Sequence, residues 1–198
     1  MGDILILYYS ANGATAALAN EVARGVARVD GMHARVRTVA RVSPNTEASE
    51  PAVPVEGVPY VDHDDLEDCC GLILGSPTRF GNMAAPLKHF IDTLSGPWLS
   101  GTLNDKPGAV FTSTGSLHGG QETTLMSMML PLIHHGMLIT GLTYTADDLL
   151  AETDSGGTPY GASHVSGAMG DRDLTEIERK LARNLGERVA RVAARMAD

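Results

Sequence analysis

Three short clusters of hydroxyl, amide and glycine residues carry the chemistry this chain offers. The first is Ser10, Ala11, Asn12, Gly13, Ala14 and Thr15, which follows an unbroken apolar and aromatic run at positions 4–9. Hydroxyls and backbone amides at the start of a helix attract an anion, through unpaired N–H groups and the helix dipole. No Lys or Arg falls within the cluster, so it is not GxxxxGK[ST], and with Gly13 as its one glycine it is not GxGxxG. A phosphate held by neutral donors alone points to a monophosphate such as that of FMN. The same six residues would also serve as a plain strand-to-helix turn with an N-cap.

The second cluster is Pro77, Thr78, Arg79, Phe80, Gly81 and Asn82. Pro77 stiffens the exit from a strand, Gly81 permits a left-handed turn, and Asn82 is placed to cap the next helix. That leaves Thr78, Arg79 and Phe80 at the tip. An Arg beside a Phe in a polar loop reads as a ligand contact, against a surface ion pair and a ring filling a gap. The third cluster is Ser113, Thr114, Gly115, Ser116, Leu117, His118 and Gly119, followed by Gly120 and Gln121. Its glycines let bare backbone approach a planar ligand and free the amides to donate. Ser113 does not sit in GxSxG, so a nucleophile elbow is not supported. His134 and His135 are adjacent, and neighbouring helical side chains point about 100° apart, so no shared metal is expected. His134 is the candidate kept for the ligand crevice, with helix capping as the alternative.

The elements that must position these clusters alternate from end to end. Strands are expected at 3–9, 33–40, 71–76, 106–113 and 137–144, and helices at 15–29, 62–70, 83–94, 120–135 and 173–197. A Pro-rich loop covers 43–59, and a Gly-rich connector covers 147–170. Five strands alternating with helices imply one α/β domain over 1–198, a doubly wound parallel sheet with helices on both faces. Such sheets bind ligands outside the carboxyl ends of their strands, where the three clusters fall. The 120–135 helix is apolar nearly all round, so the side turned away from the sheet is expected to pack on another subunit.

Composition narrows the partners. The 198 residues suit one domain with a full core, and the formal charge of −9 argues against a nucleic-acid surface. No apolar run reaches the ~20 residues needed to cross a bilayer, and the N-terminus lacks a signal-peptide pattern. Cys69 and Cys70 are adjacent and poorly placed for an unstrained disulfide; they read as small buried thiols at a helix end. A reducing cytoplasm is the expected location.

Taken in order, YYSANGAT, SPTRFGNM, GPWLSG around Trp98, FTSTGSLHGGQET, HHGM and GGTPYGAS resemble the WrbA-type NAD(P)H:quinone oxidoreductases, flavodoxin-like FMN proteins once described as binding the tryptophan repressor. The resemblance implies a flavodoxin-like five-stranded sheet in the order 2-1-3-4-5. It assigns the FMN phosphate to Ser10 through Thr15. Ribityl and ring contacts fall to Pro77, Thr78, Arg79, Phe80, Gly81 and Asn82, and to Ser113 through Gly119. It further implies an active-site role for His134, a substrate-side role for Trp98, and a homotetramer whose neighbouring subunits complete each pocket. Asn12 stands where many members carry an aromatic residue that contacts the nicotinamide nucleotide, and Ala14 where many carry His.

The expected activity is therefore ping-pong hydride transfer from NADH or NADPH, through FMN, to a quinone. Arg79 and the amides of the third cluster would stabilise negative charge on the reduced ring. Phe80 and Trp98 would wall a flat acceptor, and His134 would hydrogen-bond or protonate the quinone oxygen. The rivals are a one-electron flavodoxin-type carrier and a partner-binding regulator. An azo- or nitro-compound reductase would differ only in acceptor.

Overall fold

A computed structural model of the chain describes residues 2–43, 51, 53–144 and 149–196. A parallel sheet forms because the apolar runs need cover on both faces. β1 (Gly2–Tyr8), β3 (Cys69–Pro77) and β4 (Pro107–Thr114) are buried along most or all of their length. β2 (Met32–Thr38) lies at the edge, where Arg35 and Arg37 pair with Asp3, Asp65 and Asp68. With β5 (Leu138–Ile139), the order is β2-β1-β3-β4-β5, as the resemblance implies, and all pairs are parallel.

The fifth lane differs from the expectation of one strand over 137–144. Only Leu138 and Ile139 pair, with Pro107 and Gly108. The chain then leaves the sheet, passes through α6 (Leu149–Glu152), and returns as β6 (Ala162–Val165) beside Phe111–Thr114. Two glycines allow this excursion to fold back tightly. A Cβ on Gly141 would lie 2.2 Å from the Pro159 carbonyl oxygen, and one on Gly161 only 2.1 Å from that of Val110. The Gly-rich connector therefore holds a buried strand; its residues 147–148 lie outside the described residues.

Helices cover both faces. α1 (Ala14–Val26) and the C-terminal α7 (Glu176–Met196) pack on Ile4, Ile6, Ile73 and Phe111. α3 (Ala85–Asp92) and α5 (Gln121–His134) pack on Leu5, Leu7, Leu74 and Val110. The helix expected over 83–94 is shorter, and a separate turn of helix, α4 (Ser95–Leu99), follows it. Asn82 does not cap α3: Ala84 holds that position without a side-chain bond, and Asn82 Oδ1 accepts from the Met83 amide. α2 (His63–Asp68) ends before the cysteines, so Cys69 and Cys70 open β3 rather than close a helix. Burial pushes the Cys69 thiol up to about 11, so it stays protonated near neutrality. Much of the expected Pro-rich loop, at 44–50 and 52, and position 197 of the last helix lie outside the described residues.

α1 and α7 cross backbone to backbone. A Cβ on Gly186 would sit 2.0 Å from the Val22 carbonyl oxygen, and one on Gly25 1.9 Å from that of Arg183. Beside the crossing, buried Glu21 binds Arg24, Arg179 and Arg183. Gly186→Ala must therefore force the helices apart. Urea unfolding should show a loss of about 1–3 kcal/mol, and unchanged stability would contradict this packing.

Candidate functional site

β1, β3 and β4 end at one rim, where the turns that leave them line a cleft of about 210 Å³. In the first turn, Ser10 Oγ accepts from the Gly13 amide at 3.1 Å and the Ala16 amide at 3.3 Å. Its hydroxyl hydrogen is thus free to donate elsewhere. Gly13, at φ 89°, is the N-cap of α1 and supplies no side-chain cap. The first helical amides, Ala14 and Thr15, therefore point out of the helix with their hydrogens available. Buried Thr15 places Oγ1 2.9 Å from Ser113 Oγ and ties this turn to the third.

The second turn is a closed two-residue hairpin. The Arg79 amide donates to the Asn82 carbonyl at 2.7 Å, and the Asn82 amide donates back at 3.1 Å. Phe80 and Gly81 occupy its centre at φ 54° and 79°, the double left-handed geometry of a type I′ turn. A bulky residue seldom takes that conformation, and Phe80 presents its whole side chain to solvent. Arg79 is exposed beside it. The Thr78 amide donates to the Ser113 carbonyl, and Thr124 Oγ1 donates to Thr78 Oγ1 at 2.8 Å. A Cβ on Gly120 would lie 2.8 Å from that hydroxyl, so the second and third turns touch where only glycine fits.

The third turn exposes Gly115 to Gly119. Its far end is fixed by the His118 amide, which donates to Gln121 Oε1, while Gln121 Nε2 donates to buried Ser163 Oγ. Pro77, Thr78 and Arg79 join Ser113, Thr114 and Gly115 along the cleft, whereas the cleft lining stops short of Phe80 through Asn82 and Ser116 through Gly119.

A fourth segment, residues 166–170, completes the cleft wall opposite the first turn, and sequence reasoning missed it. The Ser166 amide and hydroxyl both donate to the Thr114 carbonyl, and the Arg172 amide donates to the Ser166 carbonyl at 2.9 Å. Gly167 and Gly170 turn left-handed at φ 80° and 72°. That glycine pair was the available signal, hidden in a stretch that reads as a connector.

Beneath this wall lies Glu178, fully buried. One carboxylate oxygen accepts from Ser155 Oγ and the Gly156 and Val165 amides, and the other from the Thr175 amide. His164 Nδ1 lies 2.9 Å from the second oxygen. Burial alone would push the carboxyl up, but hydrogen bonds from His164, Thr175, Ser155 and Val165 outweigh it and hold the group at about 2.

Two site residues from the sequence lie elsewhere. α5 begins beside the cleft at Gln121 and ends at His134, a run of about 20 Å at 1.5 Å per residue. His134 therefore stands at the opposite end of the sheet, exposed, with its carbonyl accepting from Trp98 Nε1 at 2.8 Å. Leu125, Met128 and Leu132 of α5 face the core, but Met126, Leu130 and Ile133 are more than half exposed. From Leu125 onward the helix is apolar nearly all round, and among the described residues only one side of it is covered. Among the described residues no helix is long and apolar enough to cross a membrane.

Comparison with known proteins agrees with this architecture. The family model described as NADPH-dependent FMN reductase matches residues 3–148. A protein of Solidesulfovibrio magneticus named NAD(P)H dehydrogenase (quinone) is 42% identical over 200 residues, covering 98% of each chain. A protein of the same name from Chromohalobacter salexigens is 42% identical over 201 residues, covering 100% of both. Among solved structures, a WrbA-like flavodoxin from Agrobacterium tumefaciens superposes with a TM-score of 0.68 at 24% identity, covering 98% of this chain and 99% of that one. This last likeness concerns the fold.

The buried carboxylate makes stability depend on acid. A carboxyl held below its unfolded value stabilises fully above that value and loses the contribution as pH falls toward the folded one. For Glu178 the window runs from about 4.5 down to about 2. Urea unfolding at about pH 5 and about pH 3 should show a larger loss for the native protein than for Glu178→Gln. Equal losses would contradict the assignment.

Proposed function

The chain belongs to the NADPH-dependent FMN reductase family, and on that premise we propose that it is an FMN-dependent oxidoreductase passing electrons from NAD(P)H to a quinone. The observation that carries this reading is the first turn. It offers the Ser10 hydroxyl and two unclaimed helical amides, with no cation, to a cleft whose other walls are hydroxyl- and glycine-rich. Neutral donors at a helix N-terminus suit a monophosphate. The bare backbone at Gly115 suits a flat ring system, so the residues present fit FMN. The names of the two full-length relatives supply the nicotinamide nucleotide and the quinone.

Bound FMN supplies the hydride chemistry that side chains lack. The chain's own residues hold and tune it. Ser10, Asn12 and the Ala14 and Thr15 amides take the phosphate, with Ala11 and Gly13 shaping the turn. Pro77, Thr78 and Arg79, with Phe80, Gly81 and Asn82 beyond them, would contact the ribityl chain and ring. Ser113 through Gly119 would supply further contacts to it. Amides of the third turn and the Arg79 guanidinium would stabilise negative charge on the reduced cofactor. Phe80, held outward by its hairpin, forms one aromatic wall for the acceptor. The nicotinamide nucleotide and the quinone occupy the same open face in turn, which makes the kinetics ping-pong.

His134 and Trp98 reach substrate only if another subunit brings them. The exposed Met126, Leu130 and Ile133 side of α5 is the surface for that contact, and it leads directly to both residues. A homotetramer, assembled through this face in the cytoplasm, then places a neighbour's Trp98 ring and His134 imidazole over each cleft. There His134 hydrogen-bonds the quinone oxygen and delivers a proton.

Steady-state assays with NADH, NADPH and benzoquinones test this reading. The FMN-loaded protein should give parallel double-reciprocal lines; intersecting lines would contradict alternate occupancy of one pocket. Leu130→Glu should yield a smaller assembly that retains FMN but loses quinone turnover by about tenfold or more. A variant that dissociates with full turnover would remove His134 and Trp98 from the mechanism.

A further inference from the structure

His164 faces an arrangement that a neutral imidazole does not satisfy. Its side chain is 2% exposed, on β6, between α7 and the loop that walls the cleft. On one side lies Glu178, ringed by the Gly156, Val165 and Thr175 amides and the Ser155 hydroxyl. Four donors besides the ring hold the carboxyl at about 2, so it is ionised near neutrality, a carboxylate only accepts, and His164 Nδ1 must carry hydrogen. On the other side Nε2 lies 3.0 Å from the Arg172 carbonyl oxygen. A carbonyl only accepts, so a bare Nε2 there would set two lone pairs against each other. The doubly protonated ring alone satisfies both contacts, and it compensates the charge of Glu178 in a site without water-exposed surface.

The Arg172 carbonyl stands at the neck of the cleft wall. The Arg172 amide already donates to Ser166, and Ser166 is bound to Thr114 of β4. The His164 contact locks the other side of the same peptide region. Between these two ends residues 167–170 project toward the first turn, where a Cβ on Gly170 would come within 3.7 Å of Asn12.

We infer that His164 is a positioning residue, held as an imidazolium between Glu178 and the Arg172 carbonyl, that closes the neck of the 166–172 loop and fixes the wall facing the phosphate turn. The inference rests on the proposed function only for the identity of the ligand the wall faces. The ring's protonation and its two contacts stand apart from that reading.

The test has two arms. In native protein with ¹³C- and ¹⁵N-labelled histidine, His164 should show hydrogen on both ring nitrogens, assigned through bonded ring-to-backbone correlations. A ring with one bare nitrogen overturns the proposal, and this arm needs only the native protein. In the second arm FMN is titrated into native and His164→Asn apoprotein. The variant should bind about tenfold more weakly or worse, the size of a lost charge-assisted hydrogen bond. A ratio near one overturns the positioning role. A variant that fails to fold leaves the ring measurement to decide. Failure of the native protein to bind FMN would count against the proposed function, while the ring measurement still decides the protonation of His164.

Discussion

Parallel pairing is the constraint from which the rest of this molecule follows. Strands that all run one way must each be returned by a crossover, so every turn that leaves a strand's carboxyl end opens at one rim. β1, β3 and β4 lie side by side in the sheet. Their three turns are therefore neighbours although they are separated by tens of residues in sequence. Burial of the apolar runs on both faces makes this placement rigid. Polar bonds then join the turns to each other: Thr15 to Ser113, Thr78 to Ser113, and Thr124 to Thr78. A ligand cleft with such cross-bracing is preorganised, because little ordering remains to be done on binding.

The same constraint explains why the wall at 166–170 belongs to the site. The fifth lane is shared by β5 and β6, and β6 runs parallel to β4, so its exit also opens at the carboxyl rim. The excursion between them lets the chain come back one strand-length higher and deliver a fourth turn. Glu178 and His164 anchor that turn from below, while Gln121 and Ser163 link β6 to the third turn. The buried polar network thus lies directly under the two most glycine-rich parts of the cleft.

Much of this was legible in the residues. Apolar runs identified β1 and β3, and the shorter Ala109–Phe111 run the middle of β4, because a central parallel strand has no solvated face to encode. The three turns were legible because glycine, hydroxyl and amide residues cluster where backbone must be free to donate. The fifth lane was not legible. Residues 137–144 carry strand-like composition, but pairing stops at Ile139 because Gly141 accepts a returning chain against its backbone, a long-range contact with no local signature. His134 and Trp98 were recognisable by resemblance, yet no local pattern says that α5 carries them about 20 Å from the cleft. Residues 166–170 were missed because Gly167 and Gly170 look the same in a connector as in a ligand wall. Phe80 shows the opposite case: its tip position was readable, but its left-handed backbone was not, since a bulky residue there runs against steric preference.

On the proposed function, the first turn recognises a phosphate with neutral donors and thereby fixes a flavin in the cleft. Calorimetric titration of the apoprotein with FMN and with riboflavin isolates that phosphate. FMN should bind at least about a hundredfold more tightly, the effect of two or more charge-assisted hydrogen bonds. Equal affinity for the two flavins, or no binding of either, would contradict it.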